Sequence, residues 1–158
     1  MLEAPTTSLS SCTYASLGVR PVINAAATLT RLGGSRMPPA VLEAMAAAAG
    51  CFVDLVELQQ RVGERIATLT GNEACYVSSG AAAGMAIAVA ACIAGTDPAR
   101  IARLPESDGP PPEVIVHRSQ RNGYDHAARQ TGARLVEIGL AHTTQPWALA
   151  AAISPRTT

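Results

Sequence analysis

The 158-residue chain contains no lysine; all twelve of its basic residues are arginine. Arginine stays charged and makes a poor imine-forming amine, so a mechanism that needs a Schiff-base lysine cannot be completed within these residues. Aromatic side chains are scarce: Tyr14, Phe52, Tyr76, Tyr124 and Trp147. So few rings argue against a stacking platform for single-stranded nucleic acid. Twelve acidic residues balance the arginines, and bulk charge therefore gives no reason to expect nucleic acid or an anionic membrane as partner. Cys12, Cys51, Cys75 and Cys92 show no Cys-x-x-Cys spacing, and Cys75 and Cys92 lie in apolar runs. That pattern predicts free thiols in the cytoplasm rather than a disulfide framework or a zinc site. Met1 to Ser11 has neither the basic region nor the apolar core of a secretory signal. The apolar run Ala81 to Ala94 falls short of the roughly 20 residues that cross a bilayer.

The stretch around which the rest is organised runs from Ala74 to Ala94. Ala74 to Val77 is a short apolar run after Gly71 and Asn72, and it predicts a buried strand. Ser78-Ser79-Gly80 breaks that run with a capping-type residue and a glycine. Ala81 to Ala94 is rich in alanine and predicts a helix. A strand that turns through small residues into a helix leaves unpaired N–H groups at the helix start, which together with the helix dipole favour an anion such as phosphate. Small side chains let that anion approach the backbone. Taken alone, the same pattern is more simply that of an ordinary Ser-capped core helix.

Met1 to Ser16 is polar and predicts a loose tail. Residues 17–53 form a second segment: a glycine-rich stretch with a short extended piece at Val22-Ile23-Asn24, then a helix opened by Pro38 and Pro39 and ended near Gly50. Residues 54–158 form the third. Asp54 to Thr70 predicts an amphipathic helix, with Leu55, Leu58, Val62, Ile66 and Leu69 on one face. Asp54 with Glu57 resembles a capping box, and Gly71 suits the C′ position. Gly95 to Pro112 is a long proline- and glycine-rich connector, with a helical turn at Pro98 to Arg103. Glu113 to His117 and Arg134 to Ile138 read as strands, Tyr124 to Thr131 as a short helix ended by Gly132, and Trp147 to Ile153 as another helix. Helices alternating with short apolar strands predict a parallel α/β class.

Five stretches carry a resemblance: Leu17-Gly-Val-Arg-Pro-Val-Ile-Asn24, Thr28-Leu-Thr-Arg-Leu-Gly-Gly-Ser35, Tyr76-Val-Ser-Ser-Gly-Ala-Ala-Ala-Gly84, His117-Arg-Ser-Gln-Arg-Asn-Gly-Tyr-Asp125 and Gly132-Ala-Arg-Leu-Val-Glu-Ile-Gly139. In this order they resemble the pyridoxal-phosphate proteins related to bacterial selenocysteine synthase and D-glucosaminate-6-phosphate ammonia-lyase. The resemblance implies the aspartate-aminotransferase type fold (fold type I) and a homodimer or higher assembly. It implies that Ser79, Gly80, Ala81 and Ala82 hold the cofactor phosphate and that Gln120 lies over the pyridine ring. Thr30, Arg31 and Arg36 match the family's N-terminal loop, where an arginine holds a substrate carboxylate or phosphate. The plainer readings are a solvated loop glutamine and surface charge. His117 and His126 are candidate acid–base groups, though a strand-end histidine with a structural hydrogen bond is the simpler account.

The sequence also departs from the family. Ala27 stands where many members carry glycine. Members carry their Schiff-base lysine and the aspartate that pairs with the pyridine nitrogen later than Thr158, so the resemblance implies the N-terminal part of a longer enzyme. The leading expectation is a segment of a pyridoxal-phosphate-dependent lyase or transferase that works by elimination or replacement on an amino acid or amino sugar acid. The alternative is a non-catalytic truncated relative acting as a binding or assembly module. A serine hydrolase is disfavoured because Gly-x-Ser-x-Gly is absent. Transfer RNA is disfavoured as a partner by the short stretch before Leu17 and the lack of a basic surplus.

Overall fold

The computed structural model describes residues 13–107 and 109–158. The chain divides into two compact units, Met1–Val53 and Asp54–Thr158. In the first unit, Thr13–Leu17 and Thr30–Leu32 form single 3-10 turns, and α1 spans Pro39–Ala48. A loose tail is expected through Ser16, and Met1–Cys12 of that stretch lie outside the described residues. Pro38 caps α1 with Pro39 at its first position, where a missing N–H costs nothing. Val22-Ile23-Asn24 is exposed and pairs with no strand among the described residues. Ala27 nevertheless adopts φ +50°, the left-handed conformation that favours glycine. Asn24 clamps the turn, its Oδ1 accepting from Ala26 N at 2.8 Å and its Nδ2 donating to the Ala27 carbonyl at 2.8 Å.

The second unit carries α2 (Leu55–Thr70), α3 (Ala81–Ala94), α4 (Pro98–Arg103), β1 (Glu113–His117), α5 (His126–Arg129), β2 (Arg134–Ile138) and α6 (Pro146–Ala152). The Asp54 carboxylate caps α2 by accepting from Val56 N and Glu57 N, and Gly71 closes the helix at φ +71°. β1 and β2 pair in parallel, in register from Glu113 beside Arg134 to His117 beside Ile138. A parallel pair needs a crossover, and α5 with its flanking loops supplies it. α5 and α6 pack on β2, and α3 packs on α5 and α4. The result is an α/β arrangement with a small parallel sheet.

The core is made of small side chains: Ala67, Ala94, Ala127, Ala128 and Ala133 are buried, with Ile138. Two glycines allow close approach. A Cβ on Gly132, which sits at φ +90°, would stand 2.0 Å from the Pro105 carbonyl oxygen, and one on Gly63 would stand 2.3 Å from that of Cys75.

Two expectations are corrected. Ala74–Val77 forms no ladder with any described strand. A strand exists only beside a partner, and this segment instead lies against α2: Gln59 Nε2 donates to the Val77 carbonyl at 3.0 Å. On α2 itself the expected apolar face is only partly covered. Gly63 and Ala67 are buried and Val62 and Ile66 half-buried, while Leu55, Leu58 and Leu69 are exposed. Close contact with the Cys75 backbone selects the small residues of the helix as its buried side.

Candidate functional site

The turn before α3 is built by its own small residues. The Ser78 hydroxyl donates to the Gly80 carbonyl at 2.9 Å. The same carbonyl accepts the first helical bond, from Gly84 N at 2.9 Å. Gly84 leaves space for this arrangement, since a Cβ there would reach Ser78 Oγ at 3.1 Å. Gly80 is the N-cap, at φ +152° and ψ +170°, and no side chain caps the helix. The N–H groups of the first turn have no intrahelical acceptors, and Ser79, Gly80, Ala81 and Ala82 are exposed. This local chemistry suits a dianionic phosphate: backbone donors, the positive end of a fourteen-residue helix, and no bulky side chain in the way.

A second group of polar residues gathers at the C-terminal ends of the strands, the end where ligands bind in open parallel sheets. Gln120 closes a 3-10 turn, Arg118–Gln120, that directly follows β1. Glu137, one residue before the end of β2, accepts from Arg118 Nε at 3.2 Å through Oε2 and from Arg121 Nη1 through Oε1. Arg121 Nε also donates to Asp125 Oδ2. The Arg121 hydrogen bond holds the Asp125 carboxyl below its ordinary value, against a smaller opposing push from desolvation. Asn122 accepts from Tyr124 N at 2.8 Å and donates to the Gln120 carbonyl at 3.0 Å. His117 Nδ1 lies 2.9 Å from Thr144 Oγ1, which fits a structural hydrogen bond at the strand end.

Ser79, Gly80, Ala81 and Ala82 thus form one contiguous turn, and Gln120 belongs to the same unit on the loop after β1. Thr30 and Arg31 lie in the 3-10 turn of the first unit, with Arg36 just beyond its Gly33-Gly34 pair, and all three are exposed. The arginine–carboxylate network around Glu137 went unnoticed in the sequence. Its partners are 16 and 19 residues apart along the chain, and no periodicity or motif marks them. An open groove of about 490 Å³ lies elsewhere in the unit, lined by Leu55, Val56, Gln59, Gln60, Cys75 and Tyr76.

Comparison with known proteins bears out the resemblance. D-Glucosaminate-6-phosphate ammonia lyase is a homologue of this chain. The protein of that name from Salmonella typhimurium (strain 14028s / SGSC 2262) is 40% identical over 148 residues, 91% of this chain. A 5'-C-glycyluridine monooxygenase-decarboxylase from a Streptomyces species is 41% identical over 149 residues, again 91% of this chain. A solved structure of D-glucosaminate-6-phosphate ammonia-lyase superposes with a TM-score of 0.85 at 40% identity. The chain covers 40% of the ammonia lyase and 37% of the monooxygenase-decarboxylase. No protein-family model matches it. Among the described residues no helix is long and apolar enough to cross a membrane, and Cys51, Cys75 and Cys92 are free thiols.

Proposed function

We propose that this chain supplies the cofactor-phosphate site of a pyridoxal-phosphate-dependent lyase with the aspartate-aminotransferase type of fold, acting on a small amino acid or amino sugar acid. The observation that carries this reading is the match to an ammonia lyase across nine-tenths of the chain, in sequence and in structure. The uncapped start of α3 supports it, because that turn has the donors and the clearance a phosphate needs.

When bound, pyridoxal phosphate acts as an electron sink for the substrate's reacting carbon. The residues of this chain have other tasks. The N–H groups of Gly80, Ala81 and Ala82, with the Ser79 hydroxyl, hold the phosphate and fix its distance from the helix axis. Gln120 would lie over one face of the ring. Thr30, Arg31 and Arg36 hold the anionic end of the substrate, for which a guanidinium offers two parallel donors. With no lysine among these 158 residues, an imine-forming amine comes from outside them. A second reading is a non-catalytic binding or assembly module that pairs with a full-length partner. In either case the assembly is a homodimer or larger, and neither transfer RNA nor a membrane is the partner.

Gly80→Val tests the phosphate site. The substitution places a branched side chain at φ +152°, a conformation that L residues rarely adopt, and directly in the anion's path. Its expected effect is a loss of about 100-fold or more in affinity for pyridoxal phosphate. Affinity equal to wild type in a folded variant would sink the phosphate assignment.

A further inference from the structure

Gln120 sits in a loop whose shape is set from outside. Two residues before it, Arg118 is tied to Glu137 Oε2; one residue after it, Arg121 is tied to Glu137 Oε1. A single carboxylate on β2 thus anchors both flanks of Gln120, using one oxygen for each. The far end of the loop is fastened by Arg121 to Asp125, and the Gln120 carbonyl is held by Asn122 Nδ2 at 3.0 Å. The backbone at Gln120 is therefore restrained on three sides, while its side chain is exposed.

We propose that Glu137 is the positioning residue for Gln120, setting the height of the loop after β1 against the ring of the bound cofactor. The proposal rests on the reading above that pyridoxal phosphate binds at this unit. Glu137 belongs to a strand, whose backbone is fixed by the ladder to β1 through the Val116–Glu137 pair. A loop tied to a strand side chain inherits the strand's rigidity, and a ring-facing group gains from being held in place before the ligand arrives. The proposal separates two kinds of ligand. The phosphate cradle at α3 makes no use of Glu137, so a ringless phosphate ester does not sense the loop.

The test is titration of the protein with pyridoxal phosphate and, separately, with glycerol phosphate, for the wild type, Glu137→Gln, Gln120→Ala and the double variant. Glu137→Gln is expected to weaken pyridoxal phosphate by about tenfold and to leave glycerol phosphate unchanged. In the Gln120→Ala background it is expected to add no further loss, because the two residues act as one unit. If Glu137→Gln does not fold, Arg118→Gln removes one tie of the two and carries the same expectation at about threefold. Equal losses for both ligands, or an undiminished loss when Gln120 is already alanine, would overturn the proposal. Gly80→Val separates the two failures. If it spares both ligands, the phosphate reading is wrong; if it weakens both while Glu137→Gln weakens neither, only the role of Glu137 is wrong.

Discussion

Glu113 and Glu137 lie at opposite ends of the same two strands, and each is shared between two arginines. At the N-terminal end, Glu113 Oε1 accepts from Arg134 and from Arg156, the latter at 2.6 Å, and Oε2 accepts from Ser154 Oγ at 2.8 Å. At the C-terminal end, Glu137 accepts from Arg118 and Arg121. The surroundings differ. The Glu113 side chain is 3% exposed and the Glu137 side chain 36%. Around Glu113 the backbone is also paired: its N–H donates to the Arg156 carbonyl at 2.8 Å and its carbonyl accepts from Thr158 N at 2.9 Å. Thr157 thereby forms a parallel bridge on the edge of β1 away from β2. The buried carboxylate locks three segments together, whereas the half-exposed one holds a loop over open space. The same chemistry serves stability at one end of the sheet and, on the account above, ligand geometry at the other.

Glu113→Gln gives the largest effect. It leaves two half-exposed guanidinium groups sharing a neutral amide in place of a buried carboxylate, and losing the buried partner of such a cluster is destabilising. A fall in melting temperature of roughly 10 °C is expected, against little change for Glu137→Gln; thermal unfolding of the two variants side by side checks it. The pH dependence follows from the same cluster. Hydrogen bonds from Arg134 and then Ser154 hold the Glu113 carboxyl below its ordinary value of 4.5, with burial opposing them and the charges of Arg156 and Arg134 adding to them. A depressed folded-state value contributes stability that is fully present above the ordinary glutamate value and is lost as pH falls through the lowered one. Acid unfolding should therefore be less steep in Glu113→Gln than in wild type, and identical acid limbs would break the contrast.

Two glycines give the next test, one at each end of β2. Gly132→Ala forces a Cβ to within 2.0 Å of a backbone carbonyl at φ +90°, and a cost of about 3 kcal/mol is expected. Gly139→Ala, at φ +78°, meets the Thr144 hydroxyl at 2.1 Å, which can rotate away, and also Thr144 Cβ at 2.8 Å and the Thr143 carbonyl oxygen at 2.9 Å, a backbone approach less severe than the one at Gly132. A smaller cost, about 1–2 kcal/mol, is expected there. Denaturant melts of both variants rank them, and the reverse order would contradict the contrast. Asp54→Ala removes the α2 cap, which belongs to neither end. It should cost about 1 kcal/mol without changing ligand affinity.

Most of this architecture follows from local signals. Asp54 and Gly71 bound α2, Pro39 opens α1, and the Val-Ile-Val of β1 and the Gly132 stop before β2 stand where local chemistry puts them. What escaped depends on partners distant in the chain. Ala74–Val77 has strand composition but pairs with no strand among the described residues. The α2 face that looked buried is turned by the fit of Gly63 against Cys75, which helical spacing cannot reveal. Glu113 reads as the first residue of an apolar strand; only residues 21, 41 and 43 positions later make it a hub. Of the candidate site, the turn at Ser79 to Ala82 was legible because its geometry is local. The anchoring of Gln120 by Glu137 was not.

The proposed cofactor site rests on phosphate binding by backbone amides at the start of α3. An amide NMR shift map of the protein titrated with pyridoxal phosphate tests it most directly. The largest changes are expected on Gly80, Ala81 and Ala82, with smaller changes at Gln120 and its neighbours, all saturating together. Changes confined to the arginines of the first unit, with the amides of Gly80 to Ala82 unmoved, would contradict it.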